Sequence, residues 1–203
     1  VVTKIPDQAI DEGQKFTVIK LDDFVSDVDH PKEQITWDAQ VTPFGKEQAD
    51  GDITVEISKD RIATITTPDT NWYGAAKITF TATDGEFATD KTTATFTVKS
   101  VNDAPIVQKA PDQTIDEKQQ FETISLGDLV SDVDDDVSKI KWSVSGGKDL
   151  KVSIDKYNVA TVKIPNEFWN GPAETFTFTA TDPHGASASF KYKLHGQVRE
   201  RSS

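Results

Sequence analysis

The sequence has no cysteine among its 203 residues, which removes disulfides, thiolate metal sites and thiol catalysis together. Histidine is almost as scarce. His30, His184 and His195 are the only three, and none sits in a spacing such as H-E-x-x-H that marks a catalytic zinc; surface loops account for them. No apolar run approaches the ~18 residues that a membrane-spanning helix requires. Basic residues are outnumbered, with 22 Lys and Arg against 34 Asp and Glu for a formal net charge of −12. Such an excess argues against nucleic acid or an anionic membrane surface as partner. Neither an Arg-Gly-Asp tripeptide nor an N-x-S/T sequon occurs. The opening VVTKIPDQ shows neither an initiator Met nor a signal peptide, so the chain reads as a piece of a longer polypeptide. The polar close GQVRERSS, residues 196–203, has no apolar period and is expected to be a disordered tail.

Against these absences stands an internal duplication. At a shift of 105, Pro6–Asp29 (PDQAIDEGQKFTVIKLDDFVSDVD) falls on Pro111–Asp134 (PDQTIDEKQQFETISLGDLVSDVD) with 16 of 24 positions identical. Trp37 falls on Trp142 at the same shift, whereas the TFTATD segments at Thr79–Asp84 and Thr177–Asp182 align at a shift of 98. The first copy therefore carries seven extra residues between Trp37 and Val55, in the polar, Gly-containing run PFGKEQADGD, which reads as a surface connection. Hydrophobic residues make up 35% of the chain, enough for two modest cores of about 100 residues each.

Within each copy, apolar residues alternate with Thr, Lys and Ser: Ile35-Trp37-Ala39, Ile78-Phe80-Ala82 and Ala94-Phe96-Val98 in the first, Ile140-Trp142-Val144, Phe176-Phe178-Ala180 and Phe190-Tyr192-Leu194 in the second. A period of two is that of half-buried strands. The expectation is an all-β chain of two tandem Greek-key β-sandwiches, each of seven strands and standing end to end. Domain 1 covers 1–103 and domain 2 covers 104–203, with Pro105 stiffening the junction. The only helical candidates are short turns near Leu21–Val25 and Leu126–Val130.

An ordered set of motifs occurs in the chain: Glu12, then Asp27-Val28-Asp29, then Ala82-Thr83-Asp84-Gly85, then the junction Asn102-Asp103-Ala104-Pro105, with Glu117, Asp132-Val133-Asp134 and Ala180-Thr181-Asp182 in the second copy. This set resembles the cadherin-like, Ig-like repeats strung in tandem along large bacterial and archaeal surface proteins. The resemblance covers residues 1–195 and implies a calcium site between consecutive repeats. Its inter-domain ligands would be Glu12, Asp69, Asn102, Asp103, Asp132, Asp134 and Asp182. Asp27, Asp29, Asp84 and Glu117 would be open half-sites awaiting further repeats. A hard cation that takes about 6–8 oxygen ligands suits such a set, and without it the clustered carboxylates would repel one another. The acidic D-R-E-type motif of cadherins is replaced by Asp69-Thr70-Asn71 and Asn166-Glu167, and Ser100 stands where the linker has an acid, so one or two ions are expected. Asp135 and Asp136 have no acidic counterpart in copy one and are read as bystanders.

The resemblance implies an extracellular or cell-surface bacterial protein in which the repeats act as a calcium-rigidified spacer or adhesion module. Its partners would be adjacent repeats of the same polypeptide, or another cadherin-like protein. The alternative is a carbohydrate-binding module meeting a cell-surface or plant polysaccharide. In that reading Trp72 and Trp169, in the loops PDTNWYG and PNEFWNG, stack on sugar rings; as plain sandwich residues they plug the end of the core. The acids that stand out are duplicated, whereas an active site is ordinarily built once at one pocket, so no enzyme is expected.

Overall fold

In the computed structural model, which describes residues 1–44 and 51–198, alternation becomes strand as the pattern requires. The chain divides into two compact units, repeat 1 (Val1–Val101) and repeat 2 (Asn102–Ser203). Asn102 and Asp103 thus go with the second repeat. The inserted connection of repeat 1 lies largely at 45–50, and the end of the tail at 199–203, outside the described residues.

Among the described residues, repeat 1 has seven strands: β1 (Gln8–Asp11), β2 (Ile19–Lys20), β3 (Thr36–Phe44), β4 (Thr54–Ile57), β5 (Ile62–Thr66), β6 (Gly74–Thr83) and β7 (Thr89–Lys99). They form one sheet in the order β1-β7-β6-β3 and a second in the order β2-β5-β4. β1 joins β7 in parallel, Gln8 opposite Phe96, whereas the other pairs are antiparallel. Every second residue of β6 and β7 faces inward, so Ile78, Phe80, Ala94 and Phe96 are fully buried. Phe16 meets Phe96 edge to face, with ring centroids 5.3 Å apart.

Repeat 2 reproduces this with β8 (Ile106–Val107), β9 (Gln113–Asp116), β10 (Ile124–Ser125), β11 (Val130–Ser131), β12 (Lys141–Gly146), β13 (Lys151–Ile154), β14 (Val159–Lys163), β15 (Glu174–Thr181) and β16 (Ser187–Gln197). Its sheets run β12-β15-β16-β9 and β10-β14-β13. The two additional segments are the short β8–β11 pair, Val107 opposite Val130; in repeat 1 the matching pair Val2 and Val25 forms a single bridge. The helical pieces at Leu21–Phe24 and Leu126–Leu129 are single 3-10 turns, each burying its leucine.

The first two residues of the expected tail are strand. β16 continues to Gln197, with Gly196 and Gln197 paired in parallel to Ile115 and Asp116. The reason lies in packing, because a Cβ on Gly196 would come within 2.5 Å of the Trp169 ring. A glycine there lets the indole close against the backbone.

The duplicated Pro-Asp-Gln has a mechanical role. Gln8 spans to Thr17 with both ends of its amide, Nε2 donating to the carbonyl and Oε1 accepting from the N–H, and Gln113 does the same to Glu122. Asp7 accepts the Thr95 amide at 2.8 Å and Asp112 the Lys193 amide at 2.9 Å. Each carboxylate extends by one bond a ladder that begins at the following glutamine, and that amide holds the Asp112 carboxyl below its ordinary range.

Candidate metal centre

Each DxD loop is built by its own first aspartate. Oδ1 of Asp132 accepts the amides of Asp134 at 2.9 Å and Asp135 at 3.0 Å, and Oδ1 of Asp27 accepts those of Asp29 at 3.0 Å and His30 at 2.9 Å. The AxD aspartates do likewise: Asp182 Oδ1 accepts His184 and Ala186 amides, and Asp84 Oδ1 those of Glu86 and Ala88. Aspartates closing turns on nearby amides are common as pure architecture. The second carboxylate oxygen is what distinguishes a site from a turn.

In repeat 2 two carboxylates, those of Asp182 and Asp134, reach the start of the repeat. Asp182, only 3% exposed, accepts Nδ2 of Asn102 on its Oδ2 at 2.7 Å. That amide, with the backbone N–H groups of residues 184–186, holds the carboxyl below its ordinary value of 3.8. Oδ2 of Asp134 accepts the Asp103 amide at 2.7 Å. Asn102 Oδ1 and Asp132 Oδ2 are buried and have no hydrogen-bond partner. An unpartnered buried carboxylate oxygen and an unpartnered buried amide oxygen are each costly in water's absence, and both are ligands a calcium ion takes. Asn102 with Asp182 and Asp103 with Asp134 are hydrogen-bonded pairs of one repeat, and with Asp132 they carry oxygen donors of the kind calcium takes.

The remaining expected ligands each have a partner within their own repeat. In repeat 1, Glu12 Oε1 accepts the Val101 amide at 2.9 Å. Asp69 closes its own loop on the Asn71 amide at 2.8 Å. Glu117 in repeat 2 accepts Nδ2 of Asn170 at 2.7 Å. Asp27 and Asp84 come together, and the third member of their group is His30 instead of Asp29: one ligand atom from each of Asp27, His30 and Asp84 lies within 4.8 Å of the others.

Two residues take roles that the sequence reading missed. His30, assigned there to a surface loop, is the imidazole of that group. Asp135, read as a bystander, is buried and meets His184 Nδ1 at 3.3 Å and Lys139 Nζ at 3.7 Å. Both stand at the same position of the duplication, immediately after DVD. The signal available was that shared position.

The tryptophans correct the sugar-stacking alternative. Trp72 is 1% exposed and Trp169 8%, each within its repeat's core, and Trp72 Nε1 donates to the Gly51 carbonyl at 3.1 Å. Neither offers a face to a sugar ring, because the sandwich ends close over them.

The bacterial Ig domain model matches the chain twice, over residues 1–98 and 102–195. The chain belongs to that family. No curated protein matches these bacterial Ig repeats. Among solved structures the PcdhgB3 EC1-4 structure is 18% identical, with a TM-score of 0.51 over 98% of this chain and 50% of that one. Drosophila N-cadherin EC1-4 is 17% identical, with a TM-score of 0.48 over 96% of this chain and 48% of that one. Human mucin-like protocadherin EC1-2 is 16% identical, with a TM-score of 0.45 over 98% of each. The chain spans about half the length of the first two. At this identity the likeness to the PcdhgB3 EC1-4 structure is one of fold, and it agrees with the tandem sandwich expected from the sequence.

Proposed function

We propose that the bacterial Ig repeats form a spacer segment of an extracellular or surface protein, in which a calcium ion bound by Asn102, Asp103, Asp132, Asp134 and Asp182 clamps the chain's entry into repeat 2. The observation that carries this reading is the pair of buried, unpartnered oxygens, Asp132 Oδ2 and Asn102 Oδ1, within a set of four aspartates. Calcium supplies charge neutralisation at the set. The protein's own residues do the positioning, since the Asp134 carboxylate and the Asp182 carboxylate already hold residues 102 and 103 by backbone and side-chain amides. Glu12 and Asp69 are proposed as auxiliary ligands, and Asp29 and Glu117 as half-site acids for neighbouring repeats of the same polypeptide.

Titration calorimetry of calcium into the chain tests the reading, alongside an Asp132→Ala/Asp134→Ala variant. The expected result is one or two ions for the native chain and none for the variant. Calcium should also slow hydrogen exchange at the Asp103 amide. No heat with the native chain, or equal heat with the variant, overturns it.

A further inference from the structure

The two repeats are copies, yet their loop clusters carry different donors. In repeat 2 the position after DVD is Asp135, an oxygen donor engaged by Lys139 and His184. In repeat 1 the same position is His30, whose ring stands beside Asp27 and Asp84. The imidazole is seated. Its Nδ1 lies 3.3 Å from Asp27 Oδ1 and its side chain is only 15% exposed. On the other flank is Gly85, where a Cβ would lie 3.1 Å from His30 Nε2. Any residue other than glycine would crowd the ring at that point, so the backbone of the AxDxG segment and the imidazole fit each other.

We infer that Asp27, His30 and Asp84 of repeat 1 form a binding site for a first-row transition dication such as zinc, chemically distinct from the calcium set of repeat 2. Calcium takes about 6–8 oxygens and has little use for nitrogen, whereas imidazole suits zinc and its neighbours in the series. Zinc accepts three protein ligands with water in the fourth place, at about 2.0–2.2 Å from nitrogen or oxygen. Ligand atoms within 4.8 Å of one another are close enough to share one ion of that coordination. Two of the three residues, Asp27 and Asp84, also border an open cavity of about 180 Å³. Oδ1 of Asp27 and Oδ1 of Asp84 are held by amides of their own loops, so the carboxylates are already oriented before an ion arrives.

The test is zinc titration of the full chain in saturating calcium, with His30→Asn as the principal variant and a His184→Asn/His195→Asn variant as control. The expected result is one zinc per chain, weakened at least about tenfold by His30→Asn and unchanged by the control. A second readout needs no variant: the His30 imidazole resonances of the native chain should shift on zinc addition. Absence of zinc binding, binding unaffected by His30→Asn, loss in the control variant, or displacement of zinc by calcium alone would each overturn the inference. None of these outcomes depends on whether repeat 2 binds calcium, so the two readings fail separately.

Discussion

At the scale of single residues, the duplication supplies internal controls. Phe87 and Gly185 occupy the same turn position, each donating its amide to the carbonyl of the aspartate three residues back, and both have positive φ, +67° and +97°. Glycine tolerates this region, while a bulky side chain costs about 1–2 kcal/mol there. Phe87 is 85% exposed and recovers little by packing. Phe87→Gly is therefore expected to stabilise repeat 1 by about 1 kcal/mol, read as a higher denaturant midpoint at unchanged slope; an unchanged or lower midpoint would show that the ring makes compensating contacts. Asp182 is the second case. Its carboxyl is lowered chiefly by the Asn102 side-chain amide, so the contact stabilises the docked state above the ordinary value of 3.8 and is lost as pH falls through the lower, folded value. Asn102→Ala should move the Asp182 titration up toward 3.8, followed by carboxyl carbon chemical shifts. A titration that stays put would assign the lowering to the 184–186 amides alone.

Between residues and the whole chain, the repeats differ most in how they connect the two sheets after the first long strand. Repeat 1 uses the longer insertion, whereas repeat 2 closes the gap at 147–150 on Glu174, which accepts the amides of Lys148 and Asp149. Glu174 is 8% exposed, and the position corresponding to it in repeat 1 is Ala76. Glu174→Ala leaves those amides without their charged acceptor, and repeat 2 is expected to lose about 2–3 kcal/mol. Glu174→Gln, which keeps one acceptor oxygen, should lose less. Equal midpoints for native and Ala variants in urea would show that water replaces the carboxylate. Nothing in the sequence pattern marked this residue, because a clamp made by one carboxylate on a loop of the same repeat has no period and is not duplicated. The strands were legible for the opposite reason: a period of two over four to eight residues, repeated in both copies, leaves little choice of face for Ile78, Phe80, Phe178 or Tyr192. The Pro-Asp-Gln identity was visible, but its role was not, since side chains that mimic backbone pairing leave no trace in hydrophobicity. Acids are ambiguous in a similar way. Asp27 and Asp132 look alike in sequence, and only their neighbours, His30 in one copy and Asp135 in the other, separate an imidazole-containing group from an all-oxygen one.

For the molecule as a whole, the duplicated folds carry unlike side chains at the position after DVD, His30 in one and Asp135 in the other. Each repeat has its own main apolar cluster, one built around Phe80 and Phe96 and the other around Phe178 and Tyr192, so each can report its own unfolding. A ligand stabilises only the folded unit that binds it, by about 2.7 kcal/mol at one hundred times its dissociation constant. For a unit of this size that corresponds to roughly 10–20 °C in midpoint. Scanning calorimetry with calcium should therefore raise the transition of repeat 2, the one that Glu174→Ala lowers, because five calcium-type donors, from Asn102 to Asp182, belong to it. Zinc should raise the other transition, and His30→Asn should remove that shift alone. If calcium raised the repeat 1 transition to the same extent, ligands such as Glu12 would have to contribute as strongly as the Asp132 set, and the five-residue assignment would give way to one in which calcium couples the stabilities of both repeats.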